Sequence, residues 1–137
     1  MTNIKVIKEI YRTFQAKDYD AFKEICSPAL EWIQNPGFPH GSTDYGAEVV
    51  IENVFKSFNN NWESWKFEIE EYLDTANSVI VIGFYEGVGK RTRKSFRSNA
   101  AHVYDFVDGK VIKFRQFADT LVIWDSIASL PHSIIES

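Results

Sequence analysis

The 137-residue chain has one cysteine, three histidines and no purely apolar run longer than about four residues, as at Val79 to Ile82. With Cys26 alone, no internal disulfide can form, and secretion is not implied. The histidines His40, His102 and His132 lie far apart without ligand spacing, and there is no cysteine pair, so no metal site is expected. A four-residue apolar run falls far below a membrane span. Lys5, Lys8, Glu9 and Arg12 interrupt the first turns, so no signal-peptide core is present. The expectation is a soluble, cytoplasmic protein. Positive charge is also scarce. Fifteen Lys and Arg against nineteen Asp and Glu leave a net charge of -4, which argues against nucleic acid as the main partner.

Apolar material, by contrast, is ample. Hydrophobic residues make up 45% and charged residues 25%, the usage of one globular domain, taken here as residues 1–137. Eleven Phe, six Tyr and four Trp suggest a thick aromatic core or a lined cavity. Ile4, Ile7, Tyr11 and Phe14 recur at helical spacing, and Thr2 or Asn3 can cap that helix. Asp18 is placed to cap a second, short helix burying Tyr19, Phe22 and Cys26, which Pro28 closes. "ALEWIQN" reads as a short strand and "NPGFPHGSTDYG" as a loop. "AEVVIENVFKSF" sets Ile51, Val54, Phe55 and Phe58 on one helical face. From Trp65 to Asp119 the chain is β-like, with Asp108-Gly109 as a hairpin turn, and "TLVIWDSIASL" is a terminal helix. Helices followed by a run of antiparallel strands predict an α+β fold: a cone-shaped, strongly curved antiparallel sheet, with three to four helices on its concave face around an apolar cavity.

Two groups in the last strands can exchange protons, His102 and Asp119. A two-residue turn at Asp108-Gly109 sets His102 opposite Arg115. One extra residue there, a bulge, turns His102 to the face of Phe114, Gln116 and Ala118. Asp119 serves equally well as the N-cap of the terminal helix. Trp32, Tyr45, Phe58, Trp62 and Tyr85 are candidate pocket walls, although each also suits an ordinary core. Gln116 on an apolar face needs partners, and a ligand carbonyl would be one. "GVGKRTRKSFR" is not a phosphate-binding loop, since Phe84 and Arg91 stand where the pattern needs Gly and Ser or Thr. Its five cations read as a solvated hairpin end, or else as an anion clamp.

The stretches "IYRTFQAKDYDAF", "LEWIQNPG", "DYGAEVVIENVF" and "AHVYDFVDGKVIKFRQFADT" together resemble the nuclear transport factor 2-like superfamily. Within it they are most similar to SnoaL-like and ketosteroid-isomerase-related proteins, over about residues 4 to 125. The three functional positions of the steroid isomerases fall here on Ile10, Asn35 and His102, none of which keeps the isomerase residue, so steroid isomerization is rejected and Asn35 is left as a ligand contact. The resemblance to SnoaL-like cyclases implies an acid/base role for Asp119, with His102 as its polar partner. It also favours the bulged register, with Phe114 and Gln116 inside, no cofactor, and a homodimer through the outer sheet face near Val103 and Phe117.

Three functions compete at this stage. One is a cofactor-free enzyme performing aldol cyclization, isomerization or hydration on a small apolar carbonyl compound. The second is a ligand-binding module without catalysis, and the third is an interaction protein using the convex sheet face.

Overall fold

The structure is a computed structural model that describes residues 2–128, 130 and 131, so His132 lies outside it. Helix α1 (Asn3–Ala16) starts where Thr2 accepts a hydrogen bond from the Lys5 amide and stops where Lys17 turns left-handed at φ 55°. Helix α2 (Tyr19–Ile25) begins at Asp18, whose carboxylate accepts from the Ala21 amide. Strand β1 (Cys26–Ile33) follows without a break, so Pro28 sits inside the strand rather than closing the helix. The Gly/Pro-rich loop hides a short strand, β2 (Thr43–Tyr45), that pairs with β1.

The segment expected as one helix is broken into α3 (Ala47–Asn53), a 3₁₀ turn (Phe55–Ser57) and α4 (Phe58–Asn61). Four long strands then meander: β3 (Trp62–Asp74), β4 (Ser78–Gly89), β5 (Ser95–Val107) and β6 (Lys110–Ala118). Helix α5 (Thr120–Ala128) closes the described fold. Among the described residues, no helix is long and apolar enough to cross a membrane.

The six strands lie in the order β2-β1-β6-β5-β4-β3, leaving two edges, so the sheet is open. The run β3 to β6 is antiparallel, as expected. The pair β1–β6 is parallel, which makes the sheet mixed rather than purely antiparallel. The helical segment between β1 and the meander allows this, because a parallel pair needs a long connection.

The last hairpin decides which side chains face inward. Val107 pairs with Lys110 across a tight turn in which Asp108 and Gly109 have φ 52° and 76°, the left-handed geometry that two-residue hairpins favour. The extra residue lies within β6. Phe106 pairs with Val111 and Asp105 with Lys113, so Ile112 bulges. Beyond it His102 stands opposite Gln116, not Arg115.

The inward residues form two joined cores. One gathers Ile7, Phe22, Leu30, Trp32, Val50, Phe55 and Phe114 under α1 to α3. The other gathers Phe38, Trp62, Tyr85, Phe96 and Ile123 beside α5. Trp62 ties β3 to α5 by donating its indole N–H to Ser126 Oγ at 3.0 Å.

The five cations of the β4–β5 hairpin are occupied. Lys90 and Arg91 donate to the carbonyls of Asn59 and Ile127, Arg93 and Lys94 pair with Glu63 and Asp125, and Arg97 lies 3.7 Å over the Phe84 ring. The first four tie the hairpin to α4, α5 and β3, which leaves the anion-clamp reading without support.

Gly83 pairs with Ile69 next to a second bulge, between Ile69 and Glu71. A Cβ at Gly83 would overlap the Glu68 carbonyl oxygen. Gly83→Ala should therefore lower unfolding stability by about 1–3 kcal/mol, because the neighbour in the way is backbone and cannot rotate aside. Urea unfolding checks this, and an unchanged midpoint would contradict the close packing of β3 on β4.

Candidate functional site: an uncharged aromatic cavity

On the concave face, His102 of β5 lies between Val81 of β4 and Gln116 of β6, and all three point inward. Its ring stacks on Phe67 at 4.2 Å. Both ring nitrogens have tyrosine partners. Nδ1 is 2.7 Å from the hydroxyl of Tyr11 on α1, and Nε2 is 2.5 Å from the hydroxyl of Tyr85 on β4.

The chain of hydrogen bonds continues at both ends. Tyr104 donates its hydroxyl to Tyr11 at 3.1 Å. Gln116 Nε2 donates to Tyr85 at 2.8 Å, and Gln116 Oε1 accepts from the Asn35 amide at 3.1 Å. These groups form one wall of a cavity of about 60 Å³ whose other walls include Phe14, Trp32, Phe58 and Phe67. Trp32 and Phe114 stack at 3.8 Å on the same side.

Among the described residues, no Asp, Glu, Lys or Arg lines this cavity. Burial sets the protonation of what does. Desolvation pushes His102 down from 6.5 to about 3, and it pushes Tyr11, Tyr85 and Tyr104 well above the ordinary phenol value. At neutral pH every polar group facing the cavity is uncharged. The single thiol, Cys26, is buried and raised to about 12 by desolvation, so it is no nucleophile.

The expected site residues separate on this geometry. His102, Gln116, Tyr85, Phe114, Trp32 and Phe58 line the cavity. Asn35 stands behind it, positioning Gln116 and donating its side-chain amide to the Ala118 carbonyl. Trp62 lies in the adjacent core and lines a neighbouring compartment instead.

Tyr45 must be corrected. It is 64% exposed on edge strand β2, with its hydroxyl donating to Glu31, because the short strand turns it away from the core. Asp119 is also outside: it is exposed, and its carboxylate accepts from the Leu121 amide at the start of α5. The geometry therefore does not bring Asp119 to His102, and capping accounts for its contacts.

Tyr11 is the His102 partner that the sequence does not mark. Helical spacing marked Tyr11 only as a core-facing residue, and the isomerase alignment stopped one position short, at Ile10. Among the described residues there is no cluster of His, Cys, Asp or Glu that could hold a metal ion.

An open mixed sheet with its helices packed on the concave face, around an apolar pocket, defines a cone-shaped α+β fold. The profile of the SnoaL-like domain matches residues 7–114, and the chain belongs to that family. The solved structures agree. An NTF2-like protein from Burkholderia thailandensis is 32% identical over 96% of this chain and 99% of its own, with a TM-score of 0.86. Two more distant neighbours show the fold alone. A candidate SnoaL-like polyketide cyclase from a Jannaschia species is 16% identical over 94% of this chain and 93% of its own, with a TM-score of 0.80. A protein of ketosteroid isomerase-like fold from Catenulispora acidiphila, solved with trimethylamine, is 13% identical over 95% and 96%, with a TM-score of 0.78. Among curated proteins none matches the chain.

A buried neutral histidine makes stability depend on pH. The unfolded chain takes up a proton near pH 6.5 that the folded chain refuses until about pH 3, so stability falls as pH drops through that window. The slope is about 1.4 kcal/mol per pH unit for one proton. Unfolding measured at pH 7 and pH 5 should show a loss of about 1–2 kcal/mol in the wild type that His102→Gln does not share. Equal losses in the two proteins would mean that His102 titrates normally. By contrast, Asp119→Ala should cost about 1 kcal/mol and Asp119→Asn almost nothing, since both Asp and Asn cap well.

Proposed function

We propose that the protein binds a small, uncharged, largely apolar molecule carrying a carbonyl oxygen, and that the Tyr–His–Tyr chain supplies the hydrogen bond to that oxygen. The hydrogen count of the chain carries this reading. Tyr104, Tyr11, Tyr85 and neutral His102 bring four hydrogens to three mutual contacts, while the contact between Gln116 and Tyr85 is supplied by Gln116. One hydroxyl hydrogen is left over, whichever tautomer His102 adopts. With the His102 proton on Nδ1 the free hydrogen is that of Tyr11, and with the proton on Nε2 it is that of Tyr85. Both hydroxyls belong to residues that line the cavity. An acceptor oxygen entering the cavity completes the set.

The same groups favour activation of the carbonyl by hydrogen bonding over abstraction of a proton. Lowered to about 3, His102 is a weak base at neutral pH, and among the described residues no carboxylate faces the cavity. A cyclization or isomerization in which the ligand provides its own nucleophile fits this site better than one that needs a base from the protein. The likeness in fold to a candidate polyketide cyclase is compatible with that second, catalytic reading.

Acetophenone, benzoate and trimethylammonium test the binding by calorimetry and thermal shift. The neutral ketone should bind, with an affinity at least about tenfold above that of either ion, because burying a charge among uncharged walls is costly. Trimethylammonium binding as tightly as the ketone would replace this reading with an aromatic cage for cations.

The outer sheet face supports a homodimer. Ile80, Ile82, Phe84 and Val103 point away from the helices and stay half-exposed, and Phe117 is 51% exposed. Arg115 Nε is buried there without a partner among the described residues. Sedimentation of wild type and a Val103→Glu, Phe117→Glu double variant should show a dimer and a monomer; a monomeric wild type at micromolar concentration removes the dimer.

A further inference from the structure

The His102 cavity, at about 60 Å³, is small beside the roughly 150 Å³ known to admit benzene. It does not end the available space. A second compartment of about 350 Å³ adjoins it, lined by Phe38, His40, Asn53, Asn60 and Asn61. Only Gln34 and Phe58 line both. Phe58 is the movable part of that boundary: it sits half-buried at the first position of the one-turn helix α4, stacked on Trp65 at 4.8 Å.

Gln34 is the polar part. It is only 6% exposed, and its backbone amide donates to the Ser42 carbonyl. Its side-chain amide has no hydrogen-bond partner among the described residues, although Gln116, the other buried glutamine, has both ends of its amide occupied. An amide without a protein partner, at the boundary of two compartments, is placed to take one from a ligand. Among the described residues, no carboxylate, lysine or arginine lines the second compartment, so its lining favours a neutral group.

We infer that the ligand is two-ended, and that Gln34 is a specificity-determining contact for its second end: a neutral hydroxyl or amide lying past Phe58, opposite the carbonyl end held by the tyrosines. The inference rests on the binding reading above for the carbonyl end. It adds a ligand class, a neutral carbonyl compound with a hydroxyl or amide on the far side of an apolar spacer, and it gives a role to a residue that stands apart from the His102 chain. Gln34 offers both a donor and an acceptor, so a hydroxyl can satisfy it in either sense. Phe58 must swing aside to admit a spacer of ring size.

Three para-substituted compounds read this out: acetophenone, its 4′-methyl derivative and its 4′-hydroxy derivative. On the wild type, the hydroxyl compound should bind about tenfold tighter than the methyl compound, the worth of one well-placed hydrogen bond. On Gln34→Leu that advantage should vanish, with the methyl compound binding at least as well as the hydroxyl compound. Thermal melting shows that the variant is folded. Equal affinities for the methyl and hydroxyl compounds on the wild type would overturn the inference without any variant. So would a hydroxyl advantage that survives Gln34→Leu. Failure of all three compounds to bind the wild type would instead sink the binding reading, and this inference with it.

Discussion

One residue of extra backbone in β6 governs the interior. Side chains alternate along a strand, so a shift of one exchanges the faces. Without the bulge at Ile112, Arg115 would stand opposite His102 on the concave side, and a guanidinium would enter the apolar core. With it, Val111, Phe114 and Gln116 all turn inward, and Lys113 and Arg115 face outward. The bulge thus places Gln116 beside Tyr85, and Gln116 anchors the far end of the chain through His102.

That chain ties distant elements into one unit. Tyr11 comes from the first helix, Tyr85, His102 and Tyr104 from the middle of the sheet, and Gln116 from its last strand. Asn35, from the loop after β1, holds Gln116 from behind. Each member is buried or half-buried among aromatic rings, where an unpaired polar group is costly and a charge more so. The result is a polar wall that stays neutral. Such a wall can orient and polarise a carbonyl without the protein accepting or releasing a proton.

The surface follows a different logic. Asp119, Lys94 and Arg91 are placed at the ends of α5 and the β4–β5 hairpin, where they cap and pair. Their contribution is to hold α5 over Gly89 and Trp62, closing one end of the core. The acidic residue that drew attention in the sequence belongs to this frame, because the chain turns outward after Ala118 to start the helix.

Much of the fold was legible in the amino-acid pattern. The alternation in β4 and β6, the helical spacing in α1 and the Asp108-Gly109 turn are local signals, and local signals fix local structure. They gave the helix-then-strand order and marked His102, Tyr85, Phe114 and Gln116 as residues to watch. Three things lay beyond them. The bulge depends on which face buries better once the sheet has formed, and the hairpin sequence alone permits either register. The parallel pairing of β1 with β6 joins segments some eighty residues apart. Tyr11 and Gln34 gained their roles because the helix and the loop are pressed onto the sheet; by spacing alone Tyr11 was one more core aromatic, and Gln34 a polar residue at a strand end. The sequence by itself determined which side chains would be buried. The tertiary structure decided which buried polar groups would meet each other and which would be left facing the cavity, because hydrogen bonds join groups by distance in space and not by their order along the chain.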